Sequence, residues 1–316
     1  MNIKLKISSD LDIPSDMIDE AMSVARVHVK KFHIKKRNGG FRTILQPSKK
    51  LKTIQYWLMQ NVFNKLPVHD SAVAYREGVS ILHNAKRHRG NRYFLKIDFN
   101  NFFPSVRWSD LWPILDEWHK HTDVDWDLNE EAKDLIKYSC FYKDDALPIG
   151  YPGSPVISNI VMFSADVEVT KLVGDHHKYG NVVYTRYADD IVISTDKKGV
   201  CKVLLKEISE IISRTKSPNI TLNKNKTKIG SSSGGSASVT GLKICNDGHI
   251  TIHRKQKDHI RLLLGLYKKR VLNVDEYESL LGHLAYIHHV APEFYSRLQK
   301  KYFREITELR ASKQSK

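Results

Sequence analysis

Tyr184-Thr185-Arg186-Tyr187-Ala188-Asp189-Asp190-Ile191-Val192-Ile193-Ser194 is the stretch around which the rest of the chain is arranged. Val182 to Arg186 and Ile191 to Ser194 are rich in β-branched and aromatic residues, so each reads as a strand with a short turn between them. Two adjacent carboxylates then stand at the tip of a hairpin. A bare Asp-Asp pair is most simply a polar turn. Held between apolar strands, the two charges repel, and one takes up a proton unless a cation lies between them. A divalent ion resolves the conflict, and hard Mg²⁺ favours one or two carboxylates completed by substrate phosphates.

A third carboxylate is available upstream. Tyr93 to Asp98 reads as a strand ending in an aspartate, followed by Asn100-Asn101-Phe102-Phe103-Pro104-Ser105. The other acidic stretch, Leu111 to Asp134, reads as helix with a solvated face; its acids have neither the spacing nor the glycine of a Ca²⁺ loop. The 316 residues carry 51 Lys and Arg against 35 Asp and Glu, a formal charge of +16, which suits a polyanionic partner. No apolar run approaches the roughly 20 residues of a spanning helix, and Met1 to Asp10 shows no signal-peptide core. Cys140, Cys201 and Cys245 are widely spaced and odd in number, which fits a reducing cytoplasm and no zinc site.

Elsewhere the pattern is mostly helical. Pro14 to His33 repeats Ile18, Met22, Ala25 and Val29 at helical steps, and Leu51 to Leu66 is an amphipathic helix stopped by Pro67. Between them, Ile34 to Ile44 reads as two short strands around an Asn38-Gly39-Gly40 turn, with cations before the turn and Arg42 after it. Beside a metal–carboxylate site such a hairpin would clamp a triphosphate, a task suited to the two-pronged guanidinium. Leu147 to Pro155 is a Gly/Pro-punctuated loop, and Val156 to Leu172 reads as the helix it opens. Cys201 to Thr215 is a further helix, Ser231 to Ser236 a flexible turn, and Val239 to Ile244 a strand. From Thr251 onward the chain is helical and basic. Arg254, Lys257, Arg261, Lys268, Lys269 and Arg270 interleave with leucines and tyrosines, as expected of a helical unit lying on a nucleic-acid backbone.

These segments have a familiar order. Tyr187-Ala188-Asp189-Asp190 between apolar strands resembles the catalytic hairpin of reverse transcriptases. FLKIDFNNFFPSV (residues 94–106) resembles the polymerase motif that supplies the first metal aspartate. Asn84-Ala85-Lys86-Arg87-His88 and Val239-Thr240-Gly241 resemble two motifs of bacterial retron reverse transcriptases. The likeness spans nearly the whole chain. It implies an α+β right-hand polymerase fold: an N-terminal extension and fingers over residues 1–75, a palm over 76–248 that includes part of the fingers, and a helical thumb over 249–316. The chain's end soon after the thumb sets it apart from group II intron enzymes.

The resemblance also assigns roles. Asp98, Asp189 and Asp190, with the Phe99 carbonyl, would hold two Mg²⁺ ions. Arg42 and Lys36, the better placed of two candidate lysines, would bind the triphosphate. Phe103 would exclude a 2′-hydroxyl and so select deoxynucleotides. Leu147-Pro148-Ile149-Gly150 would approach the nucleotide, with Ile149 where the family often has a sugar-contacting Gln. Asn159 matches an Asn of the same motif. Lys226 would protonate the leaving pyrophosphate, a role no sharper from sequence than that of a surface lysine. Asn84, Ala85, His88, Val239, Thr240 and Gly241, with the basic thumb residues, would engage RNA. The implied partners are deoxynucleotides, a cognate structured noncoding RNA of the msr-msd type, its multicopy single-stranded DNA (msDNA) product started from a guanosine 2′-hydroxyl, and an effector protein in phage defence. The rival readings are an abortive-infection-type or generic bacterial reverse transcriptase, and a non-catalytic RNA-binding scaffold.

Overall fold

The computed structural model describes residues 1–36, 39–235 and 237–314. Helices Ile3–Leu11 and Ser15–Ser23 open the chain, followed by an antiparallel hairpin of β1 (Lys30–Lys35) and β2 (Phe41–Gln46). The helix expected over Pro14 to His33 stops at Ser23. Lys30 to Lys35 is extended because it pairs with β2, a non-local partner that overrides the local helical period. Of the expected Asn-Gly-Gly turn, Arg37 and Asn38 lie outside the described residues; Gly39 and Gly40 both take left-handed φ. Helix Lys49–Asn61 follows, capped by the Ser48 hydroxyl. Helix Ile81–His88 then leads into the central sheet.

That sheet is built on β3 (Tyr93–Asn100). On one side β3 pairs with β5 (Asp190–Thr195), which pairs in turn with β4 (Val182–Tyr187). Its other side carries β6 (Thr221–Leu222) and β7 (Lys228–Ser231). Alternation along β3 and β5 sorts the side chains by face. Leu95, Ile97, Phe99, Ile191 and Ile193 enter the large core, which helices Phe163–Val173 and Val200–Arg214 cover. Phe94 and Val192 point the other way, into a second core shared with the C-terminal helices. Asp98 and Asp190 stand in register with each other at the end of β3 and the start of β5.

The two long helices expected around the site are each broken. Leu111 to Asp134 divides into Trp108–Lys120 and Glu130–Cys140, and Val156 to Leu172 into Ser154–Val161 and Phe163–Val173. A small sheet of β8 (Ser238–Val239), β9 (Leu242–Ile244) and β10 (Ile250–Thr251) precedes helices Arg254–Lys268, Val274–Val290, Pro292–Lys301 and Phe303–Gln314. The second core runs from Ala85 through Val239 and Leu264 to Leu309, so these helices pack on the sheet through the small sheet. Among the described residues no helix is long and apolar enough to cross a membrane.

Candidate active site

β4 and β5 are joined by the two-residue turn Ala188-Asp189, and Ala188 holds a left-handed φ of 56°. A non-glycine residue there costs on the order of 1–3 kcal/mol and persists only where its surroundings over-determine it. Those surroundings are visible. The buried Arg186 guanidinium bonds the Ala188 carbonyl at 3.3 Å and forks onto Asp166, with Nη2 to Oδ2 at 2.6 Å and Nε to Oδ1 at 2.9 Å. Both side chains are fully buried. Removing one partner of such a pair strands a charge and costs about 3–5 kcal/mol. The amide of Phe99 bonds the Asp189 carbonyl at 3.2 Å, which ties the turn to β3.

Three carboxylates therefore converge. Asp98 is buried, and Asp189 and Asp190 reach the cleft. Partial burial, then Asp189 and Asp98, push Asp190 up to about 6; burial likewise raises Asp189. The Lys226 ammonium sits on Asp98, 2.9 Å from Oδ1 and 3.0 Å from Oδ2, and that bond raises the lysine above its ordinary value. Among the described residues no three acidic, histidine or cysteine side chains already stand at ligand spacing. The donor set nonetheless fits a hard divalent ion. It is all oxygen, its members repel one another, and a cation, Lys226, already rests on it.

In front of the carboxylates lies a cavity of about 600 Å³. Its walls bring together Lys36 and Arg42 from the β1–β2 hairpin, Phe103 and Ile149, and Asp189 and Lys226, drawn from five separate stretches of sequence. Of the two candidate lysines, Lys36 is the one on this wall. Phe103 is half-buried against Phe102, 5.6 Å between ring centroids. The ring of Phe99 is buried and stacks on Phe102. Gly150 serves the loop's backbone. With φ 111°, it passes so close to β2 that a Cβ would stand 2.5 Å from the Leu45 carbonyl oxygen, and the Leu45 amide bonds the Ile149 carbonyl at 2.8 Å. Tyr75, Asn101 and Asn223 also line the cavity, and sequence reasoning passed over all three.

Asn84, Ala85, His88 and Val239 are fully buried, so the RNA contact expected of them is not available in this structure. His88 instead bridges the hairpin strands, Nδ1 to Ser194 Oγ at 2.8 Å and Nε2 to Thr185 Oγ1 at 2.7 Å, and burial pushes its pKa down to about 3. Val239-Thr240-Gly241 owes its pattern to a tight hairpin between β8 and β9. Thr240 and Gly241 both have positive φ, as a two-residue primed turn requires. The Thr240 hydroxyl donates to the Ile81 carbonyl at 3.3 Å, so the turn is tied to the helix that carries the other motif, and Ala85 and Val239 share one core. Thr240 and Gly241 border a groove of about 360 Å³ that leads to Asp190. The buried Asn159 donates to the Ala74 carbonyl at 2.9 Å and accepts from Arg186 at 3.1 Å.

The basic residues expected on nucleic acid cluster on helix Arg254–Lys268 and just beyond it. Arg254, Arg261, Lys268, Lys269 and Arg270 are exposed; Lys257 is half-buried, with its ammonium 5.5 Å from the Phe294 ring centre. Arg254 and Arg261 pair with Asp258, and Lys268 with Glu305.

Comparison with known proteins shows the family. The family model described as Reverse transcriptase (RNA-dependent DNA polymerase) matches residues 34–266. The Retron Ec73 reverse transcriptase of Escherichia coli is 44% identical over 279 residues, 88% of each chain. The Retron Ec83 reverse transcriptase of the same organism is 33% identical over 282 residues, 87% of each. In fold, the chain is similar to telomerase from Candida albicans solved with a TWJ fragment of telomeric RNA. The TM-score is 0.53 at 14% identity, over 89% of this chain and 56% of that one. The chain thus spans little more than half of that structure, and the likeness concerns the fold alone. Motif order, strand register and these two relatives lead to one conclusion: the chain belongs to the reverse transcriptase family, among the bacterial retron reverse transcriptases, and is an RNA-directed DNA polymerase.

Proposed function

We propose that the protein copies a structured noncoding RNA encoded beside it, starting from a guanosine 2′-hydroxyl, and yields branched msDNA. The observation that carries the catalytic part is the cavity joining Arg42 and Lys36 to Phe103 and the aspartates. In this reading Asp98, Asp189, Asp190 and the Phe99 carbonyl hold two Mg²⁺ ions. Bound there, the ions favour ionisation of the attacking hydroxyl and offset charge on the departing pyrophosphate. The chain's own residues bind, orient and neutralise. Arg42 and Lys36 grip the triphosphate, and closure of their hairpin excludes water. Phe103 lies beneath the sugar and leaves no room for a 2′-hydroxyl. The Ile149-Gly150 backbone fixes the fingers strand over the nucleotide. Lys226 exchanges Asp98 for the phosphates and faces the leaving group.

The exposed cations of the thumb, Arg254, Arg261, Lys268, Lys269 and Arg270, with Lys257, bind RNA phosphates without reading sequence, so their affinity falls steeply with salt. Selectivity for the cognate RNA comes from shape, unstacked bases and 2′-hydroxyl contacts. Thr240 and Gly241, bordering the groove beside Asp190, are the retron-motif residues open to such contact. In this role the ribonucleoprotein restrains an effector in phage defence.

The test is a competition at near-physiological salt between the neighbouring RNA and a non-cognate retron RNA. The expected product is DNA joined to the neighbouring RNA by a branch that resists alkaline hydrolysis. Equal product from both RNAs, or only 3′-primed DNA, would reduce the assignment to a generic reverse transcriptase.

A further inference from the structure

Tyr75 is an unusual residue to find at the cavity. It has a left-handed φ of 59°, its ring is half exposed, and it leans on Tyr187 of the Asp-Asp hairpin, with centroids 6.3 Å apart. It is also firmly held. The segment before it is bonded to β4 in both directions, Arg186 amide to Ser71 carbonyl at 2.7 Å and Val73 amide to Arg186 carbonyl at 2.9 Å. The Ala74 carbonyl is fixed by the buried Asn159 amide. The Asp166–Arg186–Asn159 network that holds the catalytic turn therefore also sets the backbone of Tyr75. Strain maintained by a buried network is a feature to be explained by function.

Tyr75 shares the cavity wall with Asp189 and Arg42; burial, then Asp189 and Tyr187, raise its phenol above the ordinary value, and Arg42 works against them. The same cavity is lined by Asp189 and Lys226 and by Lys36 and Arg42, the residues assigned above to the metals and the triphosphate. Of the neutral polar side chains on the cavity wall, Thr43 bonds His33, Asn100 bonds Thr221 and the Leu222 carbonyl, and Asn223 accepts from the Lys226 amide. Among the described residues the Tyr75 hydroxyl has no hydrogen-bond partner. Asn101 is also free, but it stands on the turn that carries Phe103. Ile149 and Phe103, the other walls around the sugar, are apolar and cannot satisfy a hydroxyl.

We propose that the Tyr75 hydroxyl hydrogen-bonds the 3′-hydroxyl of the incoming deoxynucleotide, which makes Tyr75 a specificity-determining residue for the sugar. The inference rests on the nucleotide-binding reading of the cavity given above. The sugar is the partner because its 3′-hydroxyl is common to all four substrates; a group bonded to a base edge would favour one nucleotide and impair copying of a mixed template. Phe103 then acts on the 2′ position by exclusion and Tyr75 on the 3′ position by attraction.

The experiment uses the full chain, wild type and Tyr75→Phe, with a DNA primer on an RNA template. Single-nucleotide insertion of thymidine triphosphate is compared with insertion of its 3′-deoxy analogue. Equilibrium binding of both nucleotides on a chain-terminated primer gives a readout without chemistry. Thermal melting checks that loss of one exposed oxygen leaves the fold intact. Wild type should favour the 3′-hydroxyl nucleotide by roughly 5- to 10-fold, the worth of one net hydrogen bond. Tyr75→Phe should bring that ratio close to one by weakening thymidine triphosphate alone, seen in KM and in binding more than in kcat. An unchanged ratio, equal weakening of both nucleotides, or a shift in ribose-against-deoxyribose choice would overturn the proposal. Wild type that binds neither nucleotide at equilibrium would overturn the nucleotide reading of the cavity itself.

Discussion

The Asp-Asp hairpin and the β1–β2 hairpin are both antiparallel pairs of six-residue strands, yet they relate to the rest of the molecule in opposite ways. In the first, β5 is buried from Ile191 to Thr195, and β4 is pinned by the Arg186–Asp166 pair and by His88. In the second, every residue of β1 is exposed and β2 is only half-covered near its end. Backbone hydrogen bonds that face water and make few core contacts open at low free-energy cost. Metal ligands must hold position to within fractions of an ångström, whereas a residue that grips and releases a triphosphate must move. With the roles proposed above, metal ligands on one hairpin and the triphosphate grip on the other, the chain separates the two demands by burying one hairpin and exposing the other.

The largest effect should come from the buried hairpin's tip. Asp189→Asn or Asp190→Asn should lower primer extension by about a thousandfold or more, several kcal/mol of transition-state stabilisation. Melting should hold or rise, because each change removes a charge from a repelling group. Near-normal extension by either variant with Mg²⁺ would remove these residues from the site.

The hairpin's support should answer to pH. Burial holds His88 neutral down to about pH 3, against an ordinary value of 6.5. The unfolded chain takes up that proton first, so the His88 contribution is complete above pH 6.5 and is lost as pH falls toward 3. By pH 4.5 the loss should reach about 2–3 kcal/mol. Denaturant unfolding should show the advantage of wild type over His88→Gln shrinking by that order between pH 7 and 4.5. An advantage independent of pH would mean that His88 is not the titrating group.

On the exposed hairpin the balance reverses. Arg42→Ala should raise KM for every deoxynucleotide by roughly tenfold, the order of one charge-assisted hydrogen bond, with melting unchanged. A fall in stability with KM intact would make Arg42 a structural residue and erase the contrast between the hairpins. Phe103→Ala should have the smallest effect on rate but a specific one. The preference for deoxyribonucleotides over ribonucleotides should narrow while overall insertion slows modestly. A ratio that does not move in single-nucleotide insertion would assign Phe103 to packing.

The sequence was informative where chemistry and local pattern coincide. The Asp-Asp hairpin could be read because its strands are β-branched and its tip carries charges that apolar flanks do not explain. Asp98 could be read because it follows an apolar strand pattern; the strand runs on to Asn100, where β6 pairs with it, and the register places Asp98 opposite Asp190. Errors arose where a distant partner decides the structure. The 3.6-residue period through Pro14 to His33 continues past Ser23, but pairing with β2 turns Lys30 to Lys35 into strand. Asn84 and His88 have polar side chains, and nothing local indicates that a strand pair and a hairpin will enclose them. Tyr75 carries no signal at all, since neither its left-handed backbone nor its closeness to Asp189 exists before the chain folds.

The hydrogen bond from Thr240 to the Ile81 carbonyl bears on how such enzymes recombine. Helix Ile81–His88 and the β8–β9 turn are far apart along the gene but share one core through Ala85 and Val239. A chimera that exchanges everything from β8 onward, but not helix Ile81–His88, would set one parent's turn against the other parent's helix, beside the groove that leads to Asp190. The unit that can be inherited intact is therefore discontinuous. A crossover after residue 236 is silent only if residues 81–88 come from the same parent.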